Sequence, residues 1–124
     1  MKARIRTLLV DDFAPWRDQL RSFLKSHPGC DIVGEASDGQ EAVEKATEMQ
    51  PDIILLDLEM PRLNGIEAAK IIHQKCPNAK ILFVTQEGDD DVRNVAMQVG
   101  AVDYVLKANA GNHLLDAITT ALYR

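Results

Sequence analysis

Five polar residues stand directly after short apolar runs. Asp11 and Asp12 follow Thr7-Leu8-Leu9-Val10, Asp57 follows Ile53-Ile54-Leu55-Leu56, Thr85 follows Ile81-Leu82-Phe83-Val84, and Lys107 follows Tyr104-Val105-Leu106. Three carboxylates gathered in one crevice are costly, since two unit charges about 5 Å apart repel by roughly 3 kcal/mol at an effective dielectric of about 20. A hard divalent cation bound through oxygen would neutralise them, and Mg²⁺ suits a site that keeps positions for water and phosphate oxygens. One carboxylate can then attack phosphorus as a nucleophile while the metal steadies the transferring oxygens. Lys107 offers a point charge for a carboxylate or phosphoryl oxygen, and the Thr85 hydroxyl can donate to another. Residue types alone do not choose the nucleophile among Asp11, Asp12 and Asp57.

Convergence of these residues depends on the elements that carry them. The four apolar runs are short and continuous, as strands buried on both faces are. Asp31-Ile32-Val33-Gly34-Glu35-Ala36 is a more mixed strand suited to a sheet edge. Helical spacing fills the gaps: Phe13, Trp16, Leu20 and Phe23/Leu24; Ala42, Val43 and Ala46; Ile66, Ala69 and Ile72/His73; Val92, Val95/Ala96 and Val99; Leu114/Leu115, Ile118 and Ala121/Leu122. Asp38 with Glu41, and Asn64 with Glu67, have the spacing of an N-cap and its third helical residue, and Gly100 is placed to end the fourth helix in a left-handed conformation. Strand and helix thus alternate five times, which predicts right-handed crossovers and a parallel sheet covered by helices on both faces. All strands of such a sheet point one way. The five polar residues therefore meet at the carboxyl rim, where open α/β sheets place ligands.

Taken singly, each residue has an ordinary explanation. A lone Asp after a strand is a cap or turn residue, a lone Thr is a good strand former, and a lone Lys is a solvated charge. Their joint order, acids after strands one and three, hydroxyl after four and lysine after five, points to phosphoryl and metal chemistry.

Composition narrows the field. The 124 residues fit a single domain over 1–124 with no effector domain, 46% of them hydrophobic and 27% charged. A net charge of −5 argues against direct contact with nucleic acid, so any control of transcription must pass through another domain. No apolar run reaches membrane-spanning length and no signal-peptide pattern opens the chain, which predicts a cytoplasmic protein that does not engage a membrane. Cys30 and Cys76 lie far apart, and His27, His73 and His113 are scattered, so the cysteines read as reduced thiols and zinc is not expected.

Leu8-Leu9-Val10-Asp11-Asp12, Asp57-Leu58-Glu59-Met60-Pro61 with Gly65, Thr85, and Tyr104-Val105-Leu106-Lys107 together resemble the ordered signature of response-regulator receiver domains of two-component systems. The match covers essentially the whole chain, and Pro51 to Gly65 is its most specific segment. The second half, with its Gly-Ala-Val-Asp-Tyr and Leu-Lys-Ala-Asn segments, is similar to the NarL/FixJ-like subfamily. The resemblance implies a flavodoxin-like (βα)5 fold, doubly wound, with strand order 2-1-3-4-5. It implies that Asp57 is the phosphoacceptor, served by a sensor histidine kinase, with Thr85 and Lys107 holding phosphoryl oxygens. Mg²⁺, for which Mn²⁺ can stand in, would be held by Asp12, Asp57 and the backbone carbonyl of Glu59, with waters oriented by Asp11. Tyr104 would be the aromatic that changes rotamer as Thr85 moves. Such a domain is not an enzyme beyond its own phosphotransfer and dephosphorylation. It would form a homodimer on phosphorylation and control a C-terminal DNA-binding domain, the present sequence being the receiver of a longer regulator.

Several positions depart from the common pattern. Gln86 replaces a small residue and narrows access to the phosphoryl group. Ala108 follows Lys107 in place of the frequent proline, so a cis peptide there is not assured. Phe13-Ala14-Pro15-Trp16 is an unusual opening for a first helix, although Pro15 suits a first turn. Glu59 and Glu87 lie where the family tunes the lifetime of its phosphoryl group. Three other functions fit the residues less well. An aspartate-nucleophile phosphohydrolase needs an Asp-x-Asp motif, with its second catalytic acid two residues after the nucleophile, where this chain has Glu59 instead. A flavodoxin-like cofactor binder needs a glycine-rich loop rather than acids at the first strand end. A binding module independent of phosphorylation would not need all five site residues.

Overall fold

The computed structural model describes residues 4–27, 29–86 and 88–122. Strands β1 (Ile5–Val10), β2 (Cys30–Ala36), β3 (Ile53–Leu56), β4 (Lys80–Thr85) and β5 (Asp103–Leu106) alternate with helices α1 (Ala14–Lys25), α2 (Gly39–Met49), α3 (Gly65–Lys75), α4 (Asp90–Gln98) and α5 (Ala110–Leu122). A short 3₁₀ turn, Lys107–Asn109, leads into α5. The strands form one sheet in the order β2-β1-β3-β4-β5, every neighbour parallel, as expected. The mixed strand β2 does take an edge.

Period-two alternation along the strands divides the core. Leu8, Val10, Ile54, Leu56, Ile81 and Phe83 face one side and pack with Ala42 and Ala46 of α2, Ala68, Ala69 and Ile72 of α3, and Ala96 of α4. Leu9, Ile53, Leu55, Leu82, Val84 and Val105 face the other, against Leu20 and Leu24 of α1 and Leu114, Ala117 and Ile118 of α5. A strand buried on both faces must be apolar at every position, which is why β3 reads Ile-Ile-Leu-Leu.

The caps form as predicted. Asp38 accepts from the amide of Glu41 at 2.8 Å and Asn64 from that of Glu67 at 2.9 Å. Gly100 follows α4 with φ +107, a left-handed geometry that glycine adopts without a Cβ penalty. Two apolar assignments are corrected. Phe13 does not belong to the buried stripe of α1; it is the N-cap residue and is 60% exposed. Val95 of α4 is also exposed, because Ala96 is the residue that faces the sheet. The apolar positions are thus not all spent on the core. No described peptide bond is cis, so the Lys107–Ala108 bond is trans.

Candidate phosphoryl and metal site

The carboxyl ends of β1, β3, β4 and β5 deliver Asp11, Asp12, Asp57, Thr85 and Lys107 to one cleft. Backbone ladders continue past the strand ends and fix two of them. The Asp11 amide donates to the Ala36 carbonyl and the Asp57 amide to that of Val10, each at 3.0 Å. Behind Asp57 the chain turns tightly, with the Gly65 amide on the Leu58 carbonyl at 2.7 Å. A Cβ on Gly65 would lie 2.1 Å from the Asp57 carbonyl oxygen, so only glycine admits this turn.

Carboxylate oxygens of Asp11, Asp12 and Asp57 lie within 4.8 Å of one another. Asp11 and Asp57 are buried and Asp12 is exposed at the mouth. One oxygen of Asp11 accepts from the Phe13 amide at 2.9 Å, and Oδ1 of Asp57 accepts from the Leu58 amide at 2.9 Å. Lys107 Nζ lies 2.7 Å from Asp11 Oδ2 and 3.8 Å from Asp57 Oδ2. The shorter of these is a close ion pair without hydrogen-bond alignment, and Asp11 Oδ2 is a buried acceptor with no aligned donor among the described residues. Burial, and then the neighbouring Asp11 charge, push the Asp57 carboxyl up to about 6, while Lys107, the Thr85 hydroxyl and the Leu58 amide pull the other way. One ammonium therefore does not balance three acids. An all-oxygen cluster with a buried, under-satisfied acceptor fits a hard divalent cation.

Glu59, Met60 and Gln86 line the same cleft, Glu59 and Gln86 exposed at its rim. Glu87 falls outside the described residues. Tyr104, 8% exposed, packs against Phe83 at a centroid distance of 6.5 Å, and the Arg93 guanidinium lies 5.9 Å from its ring. Three contacts were not foreseen from sequence. Arg17 of α1 donates to the Asp11 carbonyl at 2.5 Å, and Lys107 Nζ lies 5.3 Å from the centroid of the Trp16 ring. Arg62, with φ +68, reaches Asp38 at 2.8 Å and ties the β3–α3 loop to the cap of α2.

A doubly wound parallel sheet with this acidic rim defines a signalling receiver of the two-component type. The description of the response regulator receiver domain matches residues 7–119, and the chain belongs to that family. The transcriptional regulatory protein LiaR of Bacillus subtilis is 42% identical over 117 residues, which cover 94% of this chain and 56% of LiaR. The response regulator domain of Thermotoga maritima CheB superposes with a TM-score of 0.92 at 39% identity, covering 98% of both chains. The receiver domain of a NarL response regulator from Mycobacterium tuberculosis gives 0.91 at 26% identity, again over 98% of both. The NarL-like resemblance is borne out by such neighbours. The chain spans about half of LiaR and 27–30% of longer protein-glutamate methylesterases that also match. No helix among the described residues is long and apolar enough to cross a membrane.

Proposed function

We propose that this domain accepts a phosphoryl group on Asp57 from a phosphohistidine of a sensor kinase, in the cytoplasm, and uses the acyl phosphate to change its partner surface. The observation that carries the reading is the packing of three carboxylates within 4.8 Å, two of them paired with Lys107, with the Asp57 carboxyl raised to about 6. An Asp57 oxygen forms a bond to phosphorus as the phosphorus–nitrogen bond of the donor breaks, the electron pair leaving with the imidazole. Asp12, Asp57 and the Glu59 carbonyl would hold Mg²⁺, or Mn²⁺ in its place, with Asp11 orienting bound water. When bound, the cation supplies charge neutralisation for the phosphoryl oxygens.

The chain's own residues do the rest. Lys107, already 3.8 Å from Asp57, can move onto a phosphoryl oxygen. Thr85 hydrogen-bonds Asp57 and can turn its hydroxyl to the incoming group. That movement frees space beside Tyr104, whose ring then turns and alters the surface made by α4, β5 and α5. The output is a homodimer that controls a separate DNA-binding domain, in keeping with the regulatory name LiaR carries. Outside its own phosphotransfer and dephosphorylation the domain turns over no substrate.

Intact-protein mass spectrometry after incubation with acetyl phosphate and Mg²⁺ tests the reading. One added phosphoryl group is expected, lost with a chelator and in Asp57→Ala. Its absence from a folded protein that also ignores beryllofluoride would refute the phosphoacceptor role and favour a binding module closed by Gln86. Thr85→Ala should still accept the group but fail to dimerise; normal switching in that variant would sink the coupling.

A further inference from the structure

The unusual helix opening, Phe13-Ala14-Pro15-Trp16, places the single tryptophan of the chain against the site lysine. Lys107 is 12% exposed in its side chain and touches three things: Asp11 at 2.7 Å, Asp57 at 3.8 Å, and the Trp16 ring, 5.3 Å from Nζ to centroid. Such a separation is within the range over which an ammonium is held by the negative face of an indole. The ring comes at a cost. Trp16 Nε1 is buried and finds no acceptor among the described residues, a penalty that a purely apolar side chain would not carry. Small clefts open on both sides of the contact, one toward Phe23 and Gly111, the other toward Phe13 and Gln86, so the lysine stem has room to move.

From this contact, and resting on the phosphoacceptor reading above, we infer that Trp16 is a positioning residue for phosphotransfer. Together with Asp11 it holds the Lys107 ammonium in a resting position nearer to Asp11 than to Asp57, and so sets the rate at which the lysine reaches an incoming phosphoryl group. Weakening the ring's hold releases Lys107 and speeds adduct formation on Asp57. The same link carries the movement of Lys107 to the N-terminal turn of α1.

Because the tryptophan is unique, biosynthetic replacement with 5-fluorotryptophan and more heavily fluorinated analogues drains charge from the ring face while keeping its shape. The rate of adduct formation from acetyl phosphate and Mg²⁺, followed by intact mass with acetate leaving, is expected to rise with each added fluorine. Trp16→Leu should give the limit, an increase of about two- to fivefold, the weight of one cation–π contact at a partly exposed site. Without metal or phosphate donor, the ¹⁹F resonance of 5-fluorotryptophan should shift when Lys107→Met removes the ammonium. Equal or falling rates across the fluorinated series, or a resonance that does not move, would overturn the role of Trp16 while leaving the phosphoacceptor intact. No adduct in the unmodified, folded protein would instead refute the phosphoacceptor reading, and the positioning role with it.

Discussion

Replacing Asp57 by Asn should make the protein more stable, and by an amount that depends on pH. The Asp57 carboxyl is buried, 6% exposed, and its ionisation is displaced from 3.8 to about 6 by burial and by Asp11. A rise of about two units corresponds to roughly 3 kcal/mol, at about 1.4 kcal/mol per unit. For an acid whose folded value lies above its unfolded one, the unfolded chain gives up the proton first as pH rises. The folded state is therefore undisturbed below about pH 4, loses stability between about pH 4 and 6, and carries the whole penalty above that. Asn has no proton to lose and keeps an acceptor for the Leu58 amide. In urea unfolding with a chelator present, the gain of Asp57→Asn over the wild type should be near zero at about pH 4 and approach 3 kcal/mol at about pH 7. With a slope of about 2 kcal/mol/M, the neutral midpoint would move by 1–2 M. A gap that does not widen with pH, or a variant less stable than the parent at neutral pH, would refute the claim that charge crowding at Asp57 is what the fold tolerates for its chemistry.

Mg²⁺ should return part of that lost stability to the wild type, about 2.7 kcal/mol at a free concentration a hundred times its dissociation constant, and none to Asp57→Asn, as thermal melts with and without chelator would show. Lys107→Met removes the only cation paired with the buried Asp11 among the described residues, so a loss of about 2–3 kcal/mol at neutral pH is expected in urea melts, with partial recovery in Mg²⁺. Gly65→Ala drives a Cβ onto the Asp57 carbonyl; a loss of about 3 kcal/mol and abolished phosphorylation should appear together in unfolding curves and mass spectra. Asp38→Ala removes both the α2 cap and the Arg62 partner, for about 1 kcal/mol by thermal unfolding, with phosphorylation retained.

The sequence was most readable where one force decides. β3 is apolar at every position, and β4 from Ile81 to Val84, because two faces must be covered, and the convergence of Asp57, Thr85 and Lys107 on one rim followed from parallel topology alone. Asp38, Asn64 and Gly100 announced helix ends because each satisfies a local need of the backbone. Phe13 was misread because helical spacing cannot tell a first buried residue from an exposed N-cap. The contacts of Lys107 with Trp16, Arg17 with the Asp11 carbonyl, and Arg62 with Asp38 left no periodic trace: they join side chains through loops whose path only the packed fold determines. The nucleophile itself was not chosen by pattern, and its assignment to Asp57 came from resemblance.

The amides of Asp11 and Asp57 are sewn into the neighbouring strands at the very residues whose side chains form the acidic cluster. The Asp57 bond joins the inner strands β3 and β1, and the Asp11 bond joins β1 to the edge strand β2, so both carboxylates are anchored to the sheet itself rather than to a loop. Chemistry on such a platform cannot be sped or slowed by loosening its base without losing the domain. Adjustment is left to the rim, where Glu59, Gln86 and Trp16 sit on loops or a helix end and can vary without disturbing the sheet. One rigid deck can in this way serve clocks of very different period.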